Sequence, residues 1–210
     1  MKFKTLLLSL GVLCTLSSFA QETASVEDKL HQLTLSVIVP SLQYSFEKKL
    51  TDKSVMAIKA GITMGEGYSS TGFVENNFPD AYFLNESIIM ISPMVDFGYK
   101  NYYNLQRRAD KGKNVSNNSG NYFGVSLIGF LKGYSFHTIK RDYYQIEKEE
   151  VEKDKYFDNQ IGVNLVPKWG INRYLGNKFS YYLDLGPSVG TDFEKFKFGL
   201  HLHTGFSLNF

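Results

Sequence analysis

The sequence has a single cysteine, Cys14, among 210 residues. With no second cysteine there is no intramolecular disulfide and no thiolate metal cage. Proline is scarce, at five residues. No sign of charge dominates: 23 Lys and Arg stand against 21 Asp and Glu, which gives no electrostatic pointer to nucleic acid. No twenty-residue apolar run follows the first twenty positions, so a helical membrane span is not expected. That absence leaves a β-barrel open, because a barrel strand needs only about 9–11 residues with alternate ones apolar. The sequence has neither His-Glu-x-x-His nor Gly-x-Gly-x-x-Gly. Gly112-Lys113 has Arg107 where a phosphate-binding loop needs its first glycine, which excludes that nucleotide site.

What is present begins with an address label. Lys2 and Lys4 precede an apolar stretch from Leu6 to Leu13, and Ser17-Ser18-Phe19-Ala20 supplies small residues before a cut. This reads as a secretory signal peptide over residues 1–20, cleaved between Ala20 and Gln21. Cleavage removes Cys14, Lys2 and Lys4, so the mature chain has no thiol and no net charge. Residues 21–210 suffice for one domain.

The mature chain alternates. In the last fifteen residues Phe196, Phe198, Leu200, Leu202, Thr204, Phe206, Leu208 and Phe210 share one phase. Lys197, Gly199, His201, His203, Gly205, Ser207 and Asn209 share the other. A strand places these sets on opposite faces. The same pattern runs from Ile161 to Asn172, from Phe179 to Gly190, from Val55 to Gly65 and from Ile89 to Lys100. Tyr122 to about Phe136 is strand-like but alternates poorly. Leu33 to Phe46 reads as one further strand, blurred near Pro40. No stretch of comparable length carries a helical stripe.

The second face is built from Gly, Ser, Asn and Thr with isolated charges such as Lys168, Asp184 and Lys197. Small residues suit the crowded interior of a narrow closed barrel, and an apolar face with aromatic ends suits lipid. Pro93, Pro167 and Pro187 fall on the apolar phase. Each loses a ladder hydrogen bond, so bulges or strand ends are expected there.

These residues and the ending Gly205-Phe206-Ser207-Leu208-Asn209-Phe210 resemble small outer-membrane β-barrel proteins of Gram-negative bacteria, of the OmpA/OmpX-like type. Tyr102-Tyr103-Asn104-Leu105, Arg107-Arg108, Gly112-Lys113 and Asn118 to Tyr122 resemble a segment found in barrels of this kind. The resemblance implies an all-β fold, a closed antiparallel transmembrane barrel of eight strands. It implies an outer-membrane location reached through the periplasm. The partners it implies are outer-membrane lipid and the barrel assembly machinery, the latter through the Phe210 segment. It implies a monomer and no nucleic acid.

Counted back from Phe210 at the periplasmic rim, Gly190 to Glu194, Arg141 to Asp158 and Glu66 to Asn85 become external connections. Tyr174 to Lys178, Asn101 to Asn121 and Glu47 to Lys53 become internal ones. Six connections make seven strands, whereas such barrels use an even number. The eighth strand is expected between Gln21 and Gln32 or inside Glu66 to Asn85.

No catalytic, cofactor-binding or metal-binding residues are assigned, and no cofactor. His201 and His203 share one face, with Asp184 and Lys197 expected beside them by pairing, as a hydrogen-bonded filler of the lumen. Arg141 to Asp158 is mixed in sign and reads as a solvated loop or as extended strand tips. Tyr102 to Ala109 reads either as a short helix, with Arg107, Arg108, Lys111 and Lys113 as a basic surface for lipid phosphates, or as a plain polar turn. The function expected is non-enzymatic, structural or surface-interacting through external loops. The alternatives are a narrow, porin-like pore for small solutes and a lipid A-modifying barrel enzyme.

Overall fold

The structure, a computed structural model, describes residues 24–74, 82–143, 149–158 and 161–210. The predicted signal peptide lies outside these residues.

Among the described residues the chain forms ten strands: β1 (Lys29–Ser36), β2 (Ser41–Thr51), β3 (Ser54–Val74), β4 (Tyr82–Tyr102), β5 (Asn121–Phe130), β6 (Gly133–Tyr143), β7 (Glu149–Asp158), β8 (Gly162–Gly176), β9 (Phe179–Thr191) and β10 (Phe196–Asn209). A short α-helix, α1 (Leu105–Ala109), lies between β4 and β5, which decides between the two sequence readings of that stretch, helix or polar turn. All strand pairs are antiparallel. β5 and β6 both run antiparallel to β4, one along each half of it. β7 and β8 continue each other in the same way against β6 and β5. Ten strands therefore occupy eight places in the wall. β1 pairs with β10 and β3 with β4, which closes the ring.

The eighth place is filled neither by residues 21–32 alone nor by a piece of Glu66 to Asn85. Leu33 to Phe46 is not one strand but a hairpin, β1 and β2 joined at Val37–Pro40. The expected connection from Glu66 to Asn85 is in large part β3 and β4 themselves, paired from Glu66 opposite Ile89 to Val74 opposite Tyr82. The charged stretch takes the form of extended strand tips, β6 and β7, with residues 144–148 outside the described residues.

Pro93 marks the change of partner on β4. Below it Met94 faces Phe130 of β5, and above it Ile91 faces Tyr134 of β6, a slip of one residue. The Leu131 N–H donates to the Pro93 carbonyl at 2.9 Å across this bulge. A proline on one side and an extra residue on the other are the usual companions of such a bend. The same break explains the poor alternation of Tyr122 to Phe136.

Burial runs inside out. Leu35 (56% exposed), Ile62 (55%), Phe97 (55%) and Phe198 (82%) point outward. Gln32, Gln43, Glu47, Lys59, Asp96, Lys100, Lys168 and Asp184 are buried. Removing one large apolar side chain from water is worth about 1.5–3 kcal/mol. A handful left in water would match the whole ~5–15 kcal/mol that stabilises a domain. The outer surface is therefore built for an apolar solvent.

Candidate functional site

The lumen has three levels. The near end, which carries both Lys29 and Asn209, is stoppered. Val26, Val55, Tyr102, Leu105 and Tyr122 form an apolar cluster there, joining the segment before β1 to α1 and the barrel wall. The Asn118 amide donates to Glu47 Oε2 at 2.8 Å, and the Asn172 amide donates to the Asn117 carbonyl at 2.8 Å. The Glu27 N–H donates to Asn118 Oδ1 at 2.8 Å. Asn117 (φ 51°) and Asn118 (φ 58°) are left-handed, a conformation asparagine tolerates better than most residues. The β4–β5 connection thus folds back as a plug instead of hanging as a loop.

The middle level is a column of ion pairs. Lys100 Nζ lies 2.5 Å from Glu47 Oε1, Lys168 Nζ lies 3.0 Å from Asp184 Oδ2, and Lys59 Nζ lies 3.8 Å from Asp96 Oδ2. The Tyr122 hydroxyl donates to the other oxygen of Asp184. Three lysines and three carboxylates cancel, as a low-dielectric interior requires. Free space here is about 10 Å³, less than one water needs to move through freely.

The sequence pairing of His201, His203, Asp184 and Lys197 holds in part. His203 faces Asp184 in register, and the ligand atoms of Asp184, His201 and His203 lie within 4.8 Å of one another. Lys197 does not join them; its Nζ pairs with Asp192 Oδ2 at 2.8 Å in the β9–β10 turn. Lys168, one strand further, takes its place. Asp184 spends both oxygens on Lys168 and Tyr122, which leaves a cation to compete with a lysine for it.

Gly186-Pro187-Ser188-Val189-Gly190 has the Gly-x-Ser-x-Gly spacing. It runs straight along β9, with Ser188 opposite Gly199, and lacks the sharp strand-to-helix turn of a nucleophile elbow. His201 faces Gly186, diagonal to Ser188, and its Nε2 has no hydrogen-bond partner among the described residues. Among the described residues His201 Nε2 thus makes no contact with Ser188 of the kind a serine hydrolase uses between base and nucleophile.

The far half is open. A cavity of about 300 Å³ sits above the ion pairs, lined in part by Val39, Met94, Ile128, Phe130, His201 and His203. Here the inward face turns apolar, with Met94, Ile128 and Val166 buried together and Phe130 against them. Beyond the cavity the β6–β7 hairpin carries paired charges. Arg141 Nη1 lies 3.1 Å from Glu152, and Lys140 Nζ lies 3.3 Å from Glu149 and 3.4 Å from Asp142. Glu149 and Asp142 hold the Lys140 ammonium above its ordinary pKa. In the β9–β10 turn the Lys197 ammonium and the N–H groups of Lys195 and Glu194 hold the Asp192 carboxyl well below the usual range.

At the near end Arg107, Arg108, Lys111 and Lys113 share an open cleft with Arg173, which the sequence reading did not include.

No protein-family model matches the chain, and no curated protein matches it. Among solved structures, Ail, the attachment invasion locus protein of Yersinia pestis, aligns with 11% identity over 87% of this chain and 95% of its own, at a TM-score of 0.27. A second structure of Ail, in complex with the heparin analogue sucrose octasulfate, aligns with 9% identity over 87% of this chain and 96% of its own, also at 0.27. At these values neither structure transfers a ligand or a residue role to this chain.

Proposed function

We propose that the chain is a non-enzymatic integral protein of the Gram-negative outer membrane, a monomeric barrel that acts through its far-end strand tips. The observation that carries this reading is the inversion of burial around a closed ring: leucine, isoleucine and phenylalanine outside, three ion pairs inside. Such a surface is stable in hydrocarbon, and a closed ring leaves no backbone edge unpaired through the lower wall. The near end, with Phe210, is then periplasmic, and the barrel assembly machinery reads its terminal segment.

The tips of β6 and β7 carry Arg141, Asp142, Glu149, Glu150, Glu152 and Lys153 at one side of a four-stranded extension, β3-β4-β6-β7, that rises beyond the shorter strands of the wall. Their mixed sign suits contact with a mixed-charge protein or saccharide surface. The plug of Leu105, Val26 and Tyr122 and the ion-paired column weigh against the pore reading. The straight course of β9 through Ser188 weighs against the lipid A-modifying enzyme.

The test is membrane fractionation with electrophoresis of boiled and unboiled samples. A closed barrel migrates faster before boiling and resides in the outer-membrane fraction. Recovery of the processed chain in the soluble fraction, with no heat-dependent shift, would refute the reading.

A further inference from the structure

The cavity of the far half is not walled on every side. β1 and β2 end at Ser36 and Ser41, while β10 continues up to Phe196 and β3 up to Val74. The last ties are the Val37 N–H to the Thr204 carbonyl, 3.0 Å, and the Met64 N–H to the Pro40 carbonyl, 2.8 Å. Above them, among the described residues, β10 pairs with β9 alone and β3 with β4 alone, and no pairing joins β3 to β10. A lateral slot two strand places wide results, with the β1–β2 turn as its lower lip.

Three observations identify what stands in the slot. The lip is Val37-Ile38-Val39-Pro40, all exposed. Turns in water are made of Gly, Asn, Asp and Ser, so an exposed Val-Ile-Val turn belongs in hydrocarbon. Its height agrees: the eight residues of β1, tilted as barrel strands are, rise about 20 Å, short of an apolar band of about 25 Å. Second, the lumen's inward face changes from polar to apolar at this level, through Met94, Ile128, Val166 and Phe130. Third, among the described residues the upper part of β10 has no partner strand on its slot side, and hydrocarbon alone does not tolerate an unpaired backbone edge. The ester or amide groups of a lipid, at the level where acyl chains meet headgroups, supply the partners.

We propose that the slot admits one acyl chain of an outer-leaflet lipid into the cavity. The chain passes over Ile38 and Val39 and lies against Met94, Ile128 and Phe130, while the lipid's ester or amide groups hydrogen-bond the β10 edge. About 300 Å³ is at the lower end of small-ligand pockets and takes one chain in part. The ion pairs of the lumen floor balance in charge and require no charged head, although Asp96 Oδ1 has no hydrogen-bond partner among the described residues.

This inference rests on the membrane reading above, and the experiment separates the two. Trp169 is the only tryptophan, so Trp169→Phe gives a dark background for single reporters. Phe130→Trp reports the cavity, Phe97→Trp the lipid-facing wall and Tyr102→Trp the sealed near end. Each variant is reconstituted in phosphatidylcholine brominated in mid-chain, with folding checked by heat-dependent mobility. The expected result is that Phe130→Trp loses fluorescence as fully as Phe97→Trp, while Tyr102→Trp does not. Adding Ile38→Asp and Val39→Asp restores the Phe130→Trp emission. If Phe130→Trp misfolds, Ile128→Trp replaces it. Quenching at Phe97→Trp without quenching in the cavity overturns the inference and leaves the membrane reading standing. Quenching only after brominated free fatty acid is added also overturns it, in favour of a soluble ligand. No quenching at Phe97→Trp refutes the membrane reading itself.

Discussion

Lys168 and Asp184 reach diagonally across β8 and β9 until Nζ and Oδ2 stand 3.0 Å apart, both side chains almost fully shielded. Removing one partner strands the other charge in a low dielectric. Asp184→Ala is therefore expected to destabilise the barrel by about 3–5 kcal/mol. The double change Lys168→Met with Asp184→Leu is expected to recover most of that loss. The unfolding midpoint in urea, read from the fraction that keeps its heat-dependent mobility, decides; equal loss in single and double variants would remove the ion pair as the cause.

Glu47 and Asn172 hold the plug through Asn118 and Asn117. The wild-type barrel is expected to be silent in planar bilayers. Replacing residues 105–118 by a short Gly-Ser linker opens the periplasmic mouth, but the ion-paired column leaves only about 10 Å³ of free space, so this variant is expected to stay silent as well. Conductance steps in the wild-type barrel would revive the pore reading.

Phe210 closes the seam, its N–H donating to the His31 carbonyl at 3.0 Å and its ring 6.3 Å from those of His31 and Tyr44. Phe210→Ala is expected to lower the outer-membrane level while export continues, so that unfolded chain accumulates in the periplasm. Immunoblots of both fractions measure this. Undiminished outer-membrane protein would contradict the role assigned to the terminal segment.

Asp192 anchors the β9–β10 turn. Its folded pKa is depressed, so the order it lends the turn is complete above the ordinary carboxylate pKa and is lost as pH falls through the lower, folded value. Hydrogen-exchange protection of the Glu194 and Lys195 amides is expected to survive to pH values below about 3.9, the ordinary aspartate pKa. In Asp192→Asn the acid-dependent step should disappear. A step at the ordinary carboxylate pKa in the native protein would show that Lys197 does not hold Asp192.

Ser188 and His201 test the absence of lipid chemistry. Ser188→Ala and His201→Ala are each expected to leave the acyl composition of lipid A identical to that of cells carrying the native protein, by mass spectrometry. A difference between native and variant cells would make the chain an enzyme.

Much of this architecture is written locally. The outward set from Phe196 to Phe210 and the inward set from Lys197 to Asn209 are read off a two-residue period, because a strand's backbone alone sends successive side chains to opposite faces. Of the three prolines read as bulges or strand ends, Pro93 marks a bulge, where β5 and β6 meet, whereas β8 and β9 run on through Pro167 and Pro187 without a register shift. The helix over Leu105–Ala109 was only half legible, since a polar turn fits the same residues. The β1–β2 hairpin was not, because a turn that lies in hydrocarbon has no reason to carry the Gly, Asn or Asp that mark turns in water, and Val37 to Val39 blend into the strands on either side.

The alternation of side chains thus determined, without any coordinates, that this is a β-protein with an oily exterior and a polar interior. Which charges meet was decided only by closure. Lys168 finds Asp184 and Lys197 finds Asp192 because register along β8, β9 and β10 is set by the whole ring, and periodicity carries no register. The plug and the lateral slot belong to the same class. Each arises where one segment ends against another distant in sequence, Asn118 at Glu47 and Pro40 at Met64, and such meetings depend on loop lengths and strand lengths together.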